Sequence, residues 1–387
     1  MATWRLDPAT THLNHGSFGA TPIEVLHHQR RLRDQLESNP VDFFQRRYQP
    51  LLETSRRALA RFLNADPDGL VFVPNATYGV NSVLRSLEPA LRPGCEIVIT
   101  THTYNACRNA VVDTAKRVGA TVVVADIAFP IAGPSQASAA VLDAITPATS
   151  LVVLDHVTSA TALVLPIAEI VADLEPDVTV LVDGAHAPGM VEVDIAALGA
   201  SFYTANCHKW LCSPKGAGFL WVDTFHRTST NAAAISHGYN GAWPASSSDF
   251  HARFDWTGTD DPTARLAVAT ALRVMDEHRQ GGWYGIRQTN HELVLEGRDL
   301  VCERVYMEPS APDQMTGSIA AIVVPQSLAS HMSAFDLVEH LHHQWAIEVP
   351  VSAWPGSGDR VMRISAQQYD QVADYERLAT ALGDLTE

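Results

Sequence analysis

Between about residues 70 and 225, short β-branched runs alternate with amphipathic stretches. The runs Val71–Pro74, Glu96–Thr101, Thr121–Asp126, Ser150–His156, Thr179–Asp183, Phe202–Ala205 and Gly218–Val222 predict seven strands. Asn105–Val118, Ser138–Ile145 and Ile167–Leu174 carry apolar positions at helical spacing. The strands are apolar on both faces, as strands covered by helices on either side must be. This alternation predicts an α/β fold built on a mostly parallel sheet. A ligand of such a sheet sits at the carboxyl ends of the strands. Tyr104, His156, Asp183 and Lys209 fall there.

After residue 261 the rhythm changes. Pro262–Arg279 and Trp283–Val305 read as long helices. Strand Ile319–Val324, helix Ala334–Trp345, strands Ile347–Val351 and Val361–Ser365 and helix Gln371–Leu385 follow. The order predicts a smaller α+β domain over 261–387, after a large ligand-binding domain over 21–260 and an N-terminal segment, 1–20, near its site. The Ser/Gly/Ala-rich stretch Asn240–Ser248 reads as a mobile loop or a plain connector.

Length and composition narrow the function. A chain of 387 residues suits two domains, and 46% hydrophobic with 18% charged residues is ordinary for a globular protein. A net charge of −16 repels nucleic acid and anionic membranes, so neither is an expected partner. The five cysteines form no CxxC pair and no zinc spacing, which predicts a reduced, cytoplasmic protein without a metal site. Met1–Pro8 lacks the basic start and apolar core of a signal peptide, and no apolar run reaches the roughly 18 residues of a membrane helix.

Lysine is scarce: only Lys116, Lys209 and Lys215 occur. A GC-rich genome explains the scarcity, but not why one lysine sits in Thr204-Ala205-Asn206-Cys207-His208-Lys209-Trp210. An ε-amine forms a Schiff base with an aldehyde cofactor, and burial lowers its pKa toward a nucleophile and base. Pyridoxal phosphate needs such a lysine, a carboxylate at its pyridine nitrogen and a phosphate cradle. Asp183 ends an apolar strand 26 residues before Lys209. A carboxylate there is costly unless paired, and either a pyridine N–H or a helix cap would satisfy it. Thr77, after the first strand, opens a helix whose amides face an anion, or is a plain N-cap. Asn206 and His208 add donors to the same phosphate.

Two further positions stand out. Period-two alternation in Val361–Ser365 puts Arg363 and Ser365 on one face, where a guanidinium grips a carboxylate or joins a surface salt bridge. His15, in the glycine-flanked turn Leu13–Gly19, lies where an early segment can reach an active site. The pairs His27-His28 and His342-His343 lack metal spacing and read as solvated.

Along nearly its whole length the chain resembles class V aminotransferase-like enzymes of the fold-type I pyridoxal-phosphate superfamily, and within them the isopenicillin N epimerase-like branch. The resemblance rests on LNHGSFGATP (Leu13–Pro22), NPVDFFQR (Asn39–Arg46), DHVTS (Asp155–Ser159), DGAHAPG (Asp183–Gly189), NCHKW (Asn206–Trp210), FDWTGT (Phe254–Thr259) and MRIS (Met362–Ser365). It implies that Lys209 carries the cofactor, Asp183 holds the pyridine nitrogen and His186 bonds the phenolic oxygen. Ala76 and Thr77 would bind phosphate with Asn206 and His208. Thr259 would reach the phosphate of a second subunit, implying a homodimer with shared sites. Arg363, with His15 and Ser159, would meet the carboxylate end of a small amino-acid substrate. Tyr104 would stack on the cofactor ring, where desulfurases carry histidine. The segment Ser352–Arg360 contains no cysteine, which argues against persulfide-forming desulfuration.

These implications leave the reaction open. β-Elimination from a cysteine S-conjugate in secondary metabolism is the expectation. Epimerisation, with Tyr104 or His15 as second proton donor, decarboxylative deamination and transamination are alternatives. So are a degenerate member without turnover and a cofactor-free protein in which Asn206–Trp210 is merely structural.

Overall fold

The computed structural model describes residues 3–241, 246–324, 328, 332–354 and 360–385. Residues 242–245, in the proposed Asn240–Ser248 loop, and 355–359, in the cysteine-free segment, lie outside the described residues.

The main sheet has seven strands: β1 (Leu70–Val73), β2 (Glu96–Thr100), β3 (Thr121–Ala125), β4 (Thr149–Asp155), β5 (Thr179–Asp183), β6 (Phe202–Asn206) and β7 (Gly218–Val222). Their order is β1-β7-β6-β5-β4-β2-β3. Neighbours among β2 to β6 pair in parallel, while β7 runs antiparallel to both β6 and β1. Every strand forms within one residue of its predicted ends. Pro74 drops from β1 because it has no N–H to give the ladder. The edge strand β3 departs from the pattern, since Thr121 and Val124 are exposed.

The alternation along each buried strand divides two cores. Val71, Ile97, Ile99, Val153 and Leu181 face helices α3 (Ala76–Leu87) and α4 (Asn105–Val118). Phe72, Val98, Val152, Leu154 and Val182 face the opposite layer, which includes Pro134–Asp143 and Ile167–Ala172. The first of these helices starts four residues before its predicted Ser138, because Pro134 fits a first turn that needs no N–H.

Helices α1 (Ile23–Ser38) and α2 (Tyr48–Phe62) close this second core together with α5 (Val268–His278). The single helix predicted over Pro262–Arg279 is broken at Ala267, giving Thr263–Leu266 and then α5. Both pieces pack against α1 and α2. The long α6 (Gly282–Val305) starts in the sheet's core with Trp283 and Ile286, and ends in a third core with Val294 and Val301.

That third core lies under the antiparallel strands β8 (Ile319–Val324), β9 (Val351–Ala353) and β10 (Arg360–Ser365), ordered β9-β10-β8, with α7 (Ala334–Trp345) and α8 (Val372–Gly383). The strand predicted over Ile347–Val351 is two pieces with different partners. Ile347–Glu348 pairs in parallel with Thr11–His12, while Val351 pairs with Met362 of β10. The N-terminal segment is thereby fastened to the C-terminal unit.

Candidate active site

Two adjoining cavities open at the carboxyl ends of β4, β5 and β6, one of about 200 Å³ and one of about 1040 Å³. Ser17, Tyr104, Ser159, His186 and Lys209 line both. The smaller runs from Asp155 and Asp183 to the start of α3. The larger leads outward past Arg363 to His102, Phe129 and Trp354.

Lys209 lies three residues past the end of β6 and lines the smaller cavity. Its Nζ lies 3.0 Å from His186 Nε2. Burial, with the Arg363 charge in support, lowers its amine to about 8. Asp183 is buried at the tip of β5. Its Oδ1 accepts the Ala185 N–H at 3.0 Å and its Oδ2 accepts the Cys107 thiol at 3.0 Å. Burial pushes the carboxyl up, and these two donors counter it.

The first turn of α3 offers an anion its donors. Asn75 caps the helix by accepting the Tyr78 N–H, and the amide and hydroxyl of Thr77 have no partner among the described residues. Gly79 allows α3 this close to β6, since a Cβ there would meet the Thr204 hydroxyl. Two predicted phosphate groups are arranged differently. The Ala76 N–H is already given to Asn206 Oδ1 at 2.9 Å, so Ala76 is committed and Asn206 has its side-chain nitrogen to donate. His208 spends its Nδ1–H on the Ala217 carbonyl at 3.2 Å, and burial lowers the ring to about 4. It donates to phosphate only when a dianion draws a second proton onto Nε2.

Arg363 is buried and has no carboxylate partner among the described residues. Its Nη1 donates to the Ser159 carbonyl at 2.5 Å and its Nη2 to Ser17 Oγ at 3.0 Å. The surface salt-bridge alternative for this residue is therefore overturned. Tyr104 caps α4, leaves its ring 45% exposed and lines both cavities.

His15 does not lie where a substrate contact requires. It is buried behind Lys209 with Nε2 3.0 Å from the Lys209 carbonyl and Nδ1 2.9 Å from the Tyr369 hydroxyl. It lines neither cavity. The chain reaches it because Gly19, at φ +68°, lets the N-terminal segment press against the His208 carbonyl. Thr259 is exposed and also lies outside both cavities of its own chain. His156 bonds the Tyr203 hydroxyl at 2.9 Å and faces away from the site.

Two side chains escaped the sequence reading. Cys107 gave no signal, because its partner Asp183 is 76 positions away. Asp155 stood in the DHVTS motif, yet nothing in the pattern set it beside Asp183 in the sheet register. Among the described residues, no group of three or more His, Cys, Asp or Glu side chains is arranged to hold a metal. No described helix is long and apolar enough to cross a membrane.

The aminotransferase class-V family model matches residues 20–277. The chain belongs to the class-V aminotransferase family. This class-V protein is 32% identical to isopenicillin N epimerase of Amycolatopsis lactamdurans, over 98% of this chain and 96% of the relative. It is 30% identical to a putative L-cysteine desulfhydrase of Oryza sativa subsp. japonica, over 96% and 82%. Among solved structures it matches a mutant of the cystine C–S lyase C-DES with glycine covalently linked to its PLP cofactor. That match has TM-score 0.80 and 24% identity, and covers 97% of this chain and 96% of the other. The class-V fold is fold-type I, with a mostly parallel seven-stranded sheet.

Proposed function

We propose that this protein breaks a carbon–sulfur bond by β-elimination from an L-cysteine S-conjugate of secondary metabolism. It is a pyridoxal 5′-phosphate-dependent enzyme, and its residues fit that cofactor. Asp183 lines the smaller cavity, where its carboxylate would hold a pyridine N–H, and the Thr77 amide and hydroxyl, without partners among the described residues, would hold the phosphate. His186 and Ser159 line the same cavity, where His186 would bond the phenolic oxygen and Ser159 would meet the substrate. When bound, the cofactor supplies an electron sink for the bonds at Cα.

The chain's own groups do the rest. Arg363 takes the substrate carboxylate and so orients Cα toward Lys209. Lys209, with its amine near 8, removes the α-proton at neutral pH. The thiolate then leaves Cβ, and water completes the reaction to thiol, pyruvate and ammonium. Tyr104, which lines both cavities, would stack on the cofactor ring. Thr259 acts from a partner subunit, so that the working unit is a homodimer, and 21–260 is the large cofactor domain.

The observation that carries this reading is a lysine whose amine burial lowers to about 8 beside a buried arginine with no acid partner among the described residues, under an outer cavity of about 1040 Å³. That volume exceeds what the side chain of free cysteine fills, and its aromatic wall suits a bulky S-substituent. The desulfhydrase relative supports cleavage at sulfur. The position of His15 weakens epimerisation, leaving Tyr104 as the one named donor on the second face.

The test is incubation of the holoenzyme with a panel of cysteine S-conjugates and mass spectrometry of the products. Thiol and pyruvate in equal amounts are expected. Stoichiometric D-isomer without either product overturns the reading in favour of epimerisation, and aldehyde with carbon dioxide in favour of decarboxylation.

A further inference from the structure

Asp155 and Asp183 are partners in register at the ends of neighbouring parallel strands, and both are buried on the wall of the smaller cavity. Their oxygens are treated differently. Each oxygen of Asp183 accepts a hydrogen bond, one from the Ala185 N–H and one from the Cys107 thiol. Asp155 accepts the Tyr104 N–H on Oδ1 at 3.3 Å and a hydrogen bond from the Thr103 hydroxyl that favours its charged form, while Oδ2 is buried with no partner among the described residues. A buried carboxylate oxygen without a donor is strongly unfavourable as an anion, and less so as the O–H of an acid. Two neighbouring carboxyls out of water do not both ionise readily.

We propose that Asp155 keeps a proton on Oδ2 and acts as a positioning residue of the cofactor site. Asp183 then carries the single negative charge that meets the pyridine nitrogen, and Asp155 Oδ1 holds the Tyr104 amide so that the ring stays over the cavity. The charges around the pair agree with this division. Asp183 faces Asp155 from β5 and raises it further, Arg108 on α4 opposes that rise, and the Lys209 amine supports the charge on Asp183. Burial is the largest influence on both carboxyls and pushes Asp155 well above the usual range.

The proposal rests on the pyridoxal phosphate reading for its purpose, but its protonation state is measurable without the cofactor. Infrared difference spectra of the apoprotein and the holoenzyme should both contain the C=O stretch of a buried carboxylic acid, absent from Asp155→Asn. Asparagine keeps the acceptor for Tyr104 and the neutral charge. Asp155→Asn should therefore retain the parental cofactor affinity and the parental pH midpoint of the absorbance of lysine-bound cofactor. Asp155→Leu removes the acceptor and should weaken cofactor binding by about tenfold, the worth of one hydrogen bond. Absence of the acid band, or its loss in Asp183→Asn instead, overturns the proton assignment. A downward shift of the midpoint in Asp155→Asn does so too, because it means that a negative charge was removed. Equal cofactor affinity in the leucine and asparagine variants overturns the positioning role. If no cofactor binds at all, the pyridoxal phosphate reading fails while the apoprotein spectrum still decides the proton.

Discussion

Lys209 Nζ lies 3.0 Å from His186 Nε2, and the Trp210 indole N–H points at the other ring nitrogen, Nδ1, from 3.5 Å. A neutral imidazole has one proton, and the indole can only donate. With the proton on Nε2, His186 would donate to the lysine amine in the uncharged form that it takes above about 8. The direction of both shifts matches, since burial lowers His186 and Lys209 alike.

Cofactor capture needs the free amine, so its rate should rise with pH and level off above about 8, the value to which burial and Arg363 bring Lys209. The sign follows from a lowered amine pKa: the reactive form exists above it and is lost as pH falls through it. Arg363→Gln removes one cause and should move the midpoint upward. Stopped-flow absorbance of apoprotein mixed with pyridoxal phosphate measures this. A midpoint near that of free lysine refutes the assignment.

Lys209→Ala should lose covalent cofactor attachment and slow α-proton exchange by about 10²–10⁴-fold, the usual worth of a positioned base. Borohydride reduction followed by peptide mapping is the check. Label on Lys116 or Lys215 would place the site elsewhere.

Arg363→Gln should raise KM for the amino-acid substrate by about 10²-fold, since an ion-paired carboxylate contact is lost. It should not lower the melting temperature, because the variant removes a buried charge that has no acid partner among the described residues. Steady-state kinetics beside a thermal melt separate the two. A large loss of stability would mean that the guanidinium holds the fold through the Ser159 carbonyl and Ser17.

Cys107→Ala should reduce turnover by about tenfold by taking a hydrogen bond from Asp183, and Cys107→Ser should restore most of it. Cys207 and Cys212 are fully buried, and burial pushes both thiols up, so alanine there should leave the chemistry intact. Loss of activity in Cys207→Ala with cofactor bound would point to a cysteine nucleophile.

Thr259→Ala should weaken cofactor binding by about tenfold if the residue reaches the partner's phosphate. Light scattering at assay concentration gives the companion measurement. A fully active monomer would dispose of the shared site.

The sheet was legible because a strand covered on both faces must be apolar on both, and that pattern is local. Thr179–Asp183 and Gly218–Val222 carry it so strongly that their ends coincide with β5 and β7. Lys209, Asp183 and Arg363 were legible for a related reason. A rare lysine, a strand-end carboxylate and an alternating arginine each break the local expectation of their segment, and the fold brings all three to adjoining cavities.

What depended on distant neighbours could not be read along the chain. Ile347–Val351 looks like one strand, and only its two different partners, Thr11–His12 and β10, divide it. His15 looks like a site histidine until Tyr369 and the Lys209 carbonyl claim both of its nitrogens. Asp155 and Asp183 are 28 positions apart, and parallel pairing alone brings them together. Local periodicity is set by which face each residue must bury. The donors, charges and partners that decide what a buried polar group does come from other strands, and only folding supplies them.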